Sequence, residues 1–364
     1  MAAQRRLTRP LLPPLADVHA LLAEIWDSGT LANGGPMEAR FQAAIEQKLG
    51  WRDASMVSSC TAGLQLLLRV HDLAGEVLVP ALSHPATFQA VQWNGLTPVP
   101  VDVHPETLTV DTTLLARSVT SRTSAILAVH LFGHPADVLG LERFAASAGL
   151  VLLFDAASAM GVRLGGVPIV EYGHGSSVSL HATKILGVGE GGVVSVTDRA
   201  IRDKLRRLRN FGLSDDSPPL ERGTNAKLSE VASAIGLAAL PHLGPEIRAR
   251  EMALRRYREL LAGRPGVRFV EARPDSTPNF SYAALRLRTA DGAPAAQRVH
   301  ALLEAQSIES RRYFGGNYRT RLTSVHPTPV ADAAAADLLC VPLWGGMPES
   351  LIDEVCDVIG RDLP

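Results

Sequence analysis

Short apolar runs recur through the first half of the chain, near residues 54–57, 77–79, 98–103, 125–131, 150–154, 176–180 and 193–197. Between them lie stretches with apolar residues at helical spacing, such as Leu64, Leu67 and Leu68 ahead of His71. A continuous apolar run of this length, bounded by small residues, reads as a strand buried on both faces, the pattern of parallel sheets. Alternation with helices predicts an α/β fold with a mainly parallel sheet and helices on both faces. The last two runs are too close together for a long crossover, so at least one neighbour is expected to be antiparallel. Beyond Asn225 the pattern turns helical over 229–240 and again over 246–261, where Gly263 and Pro265 stop it. A boundary near Pro241 follows, with a large domain over 1–240 and a smaller α/β domain over 241–364. That second unit holds Arg286, Leu287 and Arg288, then a helical stretch over 299–305, and residues 331–336 read as a helical turn.

Composition narrows the class of function. The 364 residues carry a formal net charge of -1, so no strong field recruits nucleic acid or an anionic membrane, and small molecules are the expected partners. Cys60, Cys340 and Cys356 are too few and too scattered for a disulfide framework. The segment Arg5-Arg6-Leu7-Thr8-Arg9-Pro10 lacks a signal peptide's apolar core, and no apolar span is long enough for a bilayer, so the cytoplasm is the expected compartment. Scarce lysine beside abundant arginine and alanine points to a GC-rich bacterial genome.

Of the four lysines, Lys48, Lys204 and Lys227 sit among charged or polar neighbours, whereas Lys184 lies between Ala182 and the run Ile185-Leu186-Gly187-Val188-Gly189-Glu190-Gly191-Gly192. A buried ammonium is costly unless it loses its charge or gains a partner, which makes such a lysine a candidate Schiff-base nucleophile as well as a core-edge residue or phosphate clamp. Asp155 closes the run Val151-Leu152-Leu153-Phe154. At the carboxyl end of a parallel strand an acid points to where ligands bind, although it also serves as a turn former or helix cap. Pyridoxal phosphate uses such a pair, a lysine for its aldehyde and a carboxylate for its ring nitrogen. In Ser58-Ser59-Cys60-Thr61-Ala62-Gly63, small and hydroxylated residues at a helix start suit either a phosphate or plain capping by Ser59 or Thr61. His84, in a loop after the second strand, suits a turn or a cofactor ring face.

Three other chemistries fit less well. The run from Gly187 to Gly192 matches G-x-G-x-x-G but leads into a strand-like segment instead of a helix, against a dinucleotide site. His130 and His134 flank a turn without the further ligands of a zinc site. No nucleophile elbow of the G-x-S-x-G kind opens a helix.

Taken in order, these segments resemble the DegT/DnrJ/EryC1/StrS family of pyridoxal-phosphate-dependent sugar and cyclitol aminotransferases. Gly34-Gly35-Pro36, residues 58–64, 79–111, 129–137, 155–161, 179–192, 223–230 and 340–343 all follow that family's sequence of motifs. The resemblance implies fold type I of these transferases, a homodimer, and L-glutamate or glutamine as donor to a keto sugar, nucleotide-linked, or a keto cyclitol. It implies that Lys184 holds pyridoxal 5'-phosphate covalently, Asp155 meets its ring nitrogen and His84 stacks on the ring. Ser59, Cys60, Thr61, Ala62 and Ser179 would seat the phosphate, with Asn225 adding a contact across the dimer. Glu190 and Gly191 would line the substrate side with Gly192. Ser158 stands where the family carries Gln or His against the ring hydroxyl, and being shorter it calls for a bridging water. Lys227 stands for an arginine, and Cys60 for a glycine. Beyond the motifs, Arg311, Arg312, Tyr313, Tyr318, Arg319 and Arg321 cluster near Gly315-Gly316, with Arg312 and Tyr313 the candidates for clasping substrate. A sugar dehydratase of similar fold is expected to carry histidine in place of Lys184, and a non-catalytic regulator has no use for Asp155 with Lys184, so both fit less well.

Overall fold

The computed structural model describes residues 5–213, 219, 221–314 and 326–363, so Gly315, Gly316, Tyr318, Arg319 and Arg321 lie outside the described residues. In chain order its strands are β1 (Ser55–Val57), β2 (Glu76–Pro80), β3 (Thr97–Val101), β4 (Thr123–Val129), β5 (Val151–Asp155), the short pair β6 (Arg163–Leu164) and β7 (Val167–Pro168), β8 (Gly175–Ser179), β9 (Gly192–Val196), β10 (Val267–Phe269), β11 (Ser276–Thr277), β12 (Ala283–Leu287) and β13 (Leu338–Val341).

Seven of them form one sheet in the order β1-β9-β8-β5-β4-β2-β3. The ladders β3/β2, β2/β4, β4/β5 and β5/β8 are parallel, while β9 runs antiparallel to both β8 and β1. The closely spaced last pair therefore takes the antiparallel pairing that its short link requires. Pro98 and Pro100 fall on β3, at the open end of the sheet, where a missing N–H costs no central ladder bond. The apolar run at 125–131 stops pairing at Val129, because Leu131–Gly133 winds into a 3-10 turn in which Phe132 takes a left-handed φ of 57°.

Helices begin and end where local chemistry dictates. Ser59 caps the helix Cys60–Val70 by accepting from the Ala62 N–H, and Asp137 does the same for Val138–Ala148 at Gly140. Gly149 closes the latter helix at φ 65°. Two separate sequence motifs meet at the helix Pro36–Leu49. The Glu230 carboxylate takes the N–H groups of Met37 and Glu38 at 2.7 and 2.9 Å, tying residues 223–230 to the Gly34-Gly35-Pro36 turn. A side chain on Gly35 would lie 2.6 Å from the Glu230 carboxyl carbon, so only glycine leaves room for this cap.

The main core lies against the sheet, where Phe41, Ile45, Leu78, Ile126, Leu152, Phe154 and Val178 are fully or almost fully covered. A second core, built from residues between Ala253 and Leu363, surrounds the sheet β10-β12-β13. The amino-terminal segment joins that second unit: Arg5 bridges to Ile308, and Glu309 accepts from the Leu7 N–H at 3.0 Å. Arg250, on the helix Leu243–Leu260, is 1% exposed and binds Glu246 at 2.7 Å and the carbonyls of Ser281 and Leu343 at 3.3 Å each. It thereby fixes the chain just before β12. No helix among the described residues is long and apolar enough to cross a membrane.

Candidate active site

The carboxyl ends of β5 and β8, the start of the helix Cys60–Val70 and the loop after β2 enclose a cavity of about 330 Å³. Ligands collect at such strand ends because the loops that follow leave a crevice there.

Asp155 ends β5 and is 4% exposed. Its Oδ1 accepts from the Ala157 N–H at 3.0 Å and its Oδ2 from the Thr87 hydroxyl at 2.7 Å. Thr87 is fully buried and shares a 2.6 Å hydrogen bond with Ser83. A hydroxyl chain thus runs from Ser83 through Thr87 to the carboxylate and leaves it little freedom to rotate. His84 lies on the cavity wall and caps the helix Pro85–Trp93, its Nδ1 accepting from the Ala86 N–H at 3.2 Å. Burial, with Lys184 and Arg311 nearby, holds it below the usual histidine range despite the opposing pull of Asp155.

Lys184 sits in the turn between β8 and β9, partly buried, with Nζ 3.0 Å from the Ser158 hydroxyl and 3.1 Å from that of Tyr282. Burial works against its ammonium. The Tyr282 hydroxyl, with help from Asp155, more than offsets this and holds the amine above its ordinary range. Burial also opposes ionisation of Tyr282, and Lys184 reverses that effect, drawing the phenol below its ordinary range.

Ser59, Cys60 and Thr61 also line the cavity, at the helix start. A helix cannot satisfy its own first N–H groups, which makes this a seat for an anion. Ser59 meets the Ala62 N–H at 3.1 Å, and Gly192 closes the turn from below. A Cβ on Gly192 would lie 2.7 Å from the Cys60 nitrogen. Ser179, at the end of β8, accepts from the His181 N–H at 3.1 Å and also lines the cavity. Burial and the nearby Asp155 raise the Cys60 thiol well above its ordinary range, so it acts as a small neutral side chain.

The remaining expected residues divide. Glu190 and Gly191 line the cavity, Glu190 exposed with Oε1 3.5 Å from His181 Nε2. Tyr313 lines it too, whereas Arg312 hydrogen-bonds Gln297 and stays off the wall. The adjacent Arg311 takes that place, its guanidinium 5.6 Å from the Tyr313 ring. The candidate arginine thus shifts by one position, because Arg311 bridges Cys340 in extended backbone, where neighbouring side chains alternate. Asn225 is exposed and outside the cavity of its own chain, accepting from Lys227 Nζ at 2.8 Å. Sequence reasoning missed Ser83, Thr87, Tyr282 and the aromatic wall of Phe132 and Phe314. Thr87 carried one faint signal, its place one helical turn beyond His84.

The donor set suits pyridoxal phosphate: an amine for the aldehyde, a fixed carboxylate for the ring nitrogen, and a helix start braced by glycine for the phosphate. The chain is 31% identical to a dTDP-4-amino-4,6-dideoxy-D-glucose transaminase of Escherichia coli over 97% of both proteins. It is 34% identical to a dTDP-3-amino-3,4,6-trideoxy-alpha-D-glucose transaminase of Streptomyces venezuelae, over 82% of this chain and 78% of that one. Among solved structures, DesI in the presence of its TDP-sugar product matches with a TM-score of 0.91 and 33% identity, over 98% of this chain and 92% of that one. Those likenesses agree with the match of the DegT/DnrJ/EryC1/StrS aminotransferase family across residues 16–360, and the protein therefore belongs to that family of pyridoxal-phosphate-dependent aminotransferases.

Proposed function

We propose that the protein moves an amino group from L-glutamate or L-glutamine to a keto sugar, with a nucleotide-linked keto sugar as the first acceptor to test and a keto cyclitol the second. The observation that carries this reading is a single cavity bringing the Lys184 amine and the hydrogen-bonded Asp155 carboxylate to the same strand ends. The related transaminases named for dTDP-sugars support the acceptor class.

Bound pyridoxal phosphate supplies an aldehyde to carry the amino group and a ring that accepts electrons as a C–H bond breaks. Lys184 would hold it covalently and, once displaced by the incoming amine, move a proton between the two reacting carbons with Nζ. Asp155 would face the ring nitrogen, kept in register by Thr87 and Ala157. Ser59, Cys60, Thr61, Ala62 and Ser179 would receive the phosphate, and His84 would cover one ring face. On the substrate side, Glu190, Gly191, Tyr313 and Arg311 would meet the acceptor, the guanidinium suiting a diphosphate.

A homodimer completes this picture, with Asn225 reaching the neighbouring subunit's cavity, since it lies outside its own. The cytoplasm and an amino-sugar pathway of secondary metabolism are the setting that fits. Two experiments bear on these points. Glutamate or glutamine alone should bleach the visible band of the bound cofactor, and a nucleotide-linked keto sugar should restore it; recovery with α-keto acids but with no keto sugar or cyclitol would refute the acceptor class. Mixed Lys184→Ala and Asn225→Ala chains, each inactive alone, should regain activity as heterodimers. No regain in verified heterodimers would place Asn225 in its own subunit's site.

A further inference from the structure

The lysine amine is held by a phenol that no motif marks. Tyr282 lies just ahead of β12, 98 positions along the chain from Lys184, and its hydroxyl is 3.1 Å from Lys184 Nζ. Its ring is braced by Phe132 at 5.3 Å and, edge to face, by Tyr313 at 5.6 Å. The backbone on either side of the pair is equally fixed. The Ser158 carbonyl accepts from Asn279 Nδ2 at 2.8 Å and the Ser281 hydroxyl at 2.9 Å, while buried Arg250 holds the Ser281 carbonyl. Two hydroxyls therefore meet one amine from opposite parts of the fold, each on an immobilised support.

We infer that Tyr282 is a positioning residue for Lys184: together with Ser158 it fixes where Nζ sits and shares its proton. This rests on Lys184 being the cofactor lysine. A four-carbon side chain released from a covalent bond has many rotamers, and proton transfer at two neighbouring carbons needs the amine held within hydrogen-bond reach of both. Tyr282 and Ser158 supply that restraint through two hydrogen bonds to Nζ. Around the pair stand Cys60 and Asp155 on the sheet side, His84 from the loop after β2, and Tyr313, Arg311 and Cys340 from the second unit. Asp155 acts in the same direction as Tyr282 on the lysine, so it remains as a constant background when Tyr282 is changed.

The test uses full-length protein stripped of cofactor, with an amine-reactive reagent and peptide mapping to follow labelling of Lys184 against pH. Tyr282→Phe should shift the Lys184 profile to lower pH, because burial is then less well offset, while labelling of exposed Lys48 stays unchanged. From the other side, Lys184→Met should move one tyrosine's ultraviolet titration to higher pH, a measurement that does not require Tyr282→Phe to fold. An unchanged Lys184 profile in folded Tyr282→Phe, or an unmoved tyrosine in Lys184→Met, would overturn the inference. Borohydride reduction of wild-type holoenzyme separates the two levels. Attachment of the cofactor to another lysine defeats the site assignment itself; attachment to Lys184 with unmoved profiles defeats only the role of Tyr282.

Discussion

Asp155 is a buried carboxylate held in place by a chain of neighbouring hydroxyls. Its Oδ2 takes the Thr87 hydroxyl at 2.7 Å, and Thr87 is itself bonded to Ser83, all three buried. A hydrogen bond to a charged group is worth about 1.5–3 kcal/mol, so Thr87→Val should slow the glutamate half-reaction by roughly tenfold or more. Stopped-flow absorbance of the bound cofactor measures this, and a rate equal to wild type would show that Asp155 needs no such tether. Asp155→Asn should be more damaging still, with the phosphate contacts, and hence most of the cofactor affinity, retained. Asp155 and Lys184, which line one cavity, stood out along the chain because each sits in a local setting, one closing an apolar run and the other beside a glycine-rich turn. Thr87 and Tyr282 could not, since their contacts join residues 68 and 98 positions apart and neither type is unusual where it stands. The shift from Arg312 to Arg311 has a similar cause. In extended chain adjacent side chains face opposite ways, and only the pairing of Arg311 with Cys340 sets which one faces the cavity.

At the scale of elements, the helix Cys60–Val70 and strand β9 form one device. Gly192 opens β9 directly beneath the helix's first turn, where a Cβ would sit 2.7 Å from both the Cys60 nitrogen and the Ser59 carbonyl carbon. Overpacking of this kind typically costs about 1–3 kcal/mol. Gly192→Ala should therefore weaken cofactor retention by about tenfold, seen as faster loss on dialysis with far-ultraviolet dichroism unchanged. Equal retention would mean that the turn is not the phosphate seat. The glycine run was legible as something other than a dinucleotide loop, because the valines after it announce a strand. Its actual task, letting a strand pass under a helix start, needs the antiparallel pairing of β9 with β1, which composition alone does not give.

Across the whole molecule, stability should depend on pH through histidines that become buried on folding. Burial lowers His71 to about 4, His130 to about 3 and His134 to about 4. The unfolded chain takes up their protons near pH 6.5 while the folded one does not, so their contribution is complete above about pH 6.5 and declines as pH falls toward about 4. The carboxyls of Glu38 and Asp53, raised chiefly by burial, act oppositely and favour the fold as they protonate above the ordinary carboxylate range, so they offset part of the histidine loss. Thermal melts should drop steadily between pH 6.5 and 4.5, and less so for His71→Gln; a Tm flat across that window would contradict the burial of these imidazoles. The central claim, that one cavity is built around a covalent lysine, has a more direct test. Holoenzyme reduced with borohydride and digested should carry the cofactor on the peptide containing Lys184. Finding it on Lys48, Lys204 or Lys227, or finding no fixed cofactor in protein that shows the bound-cofactor band, would contradict the account.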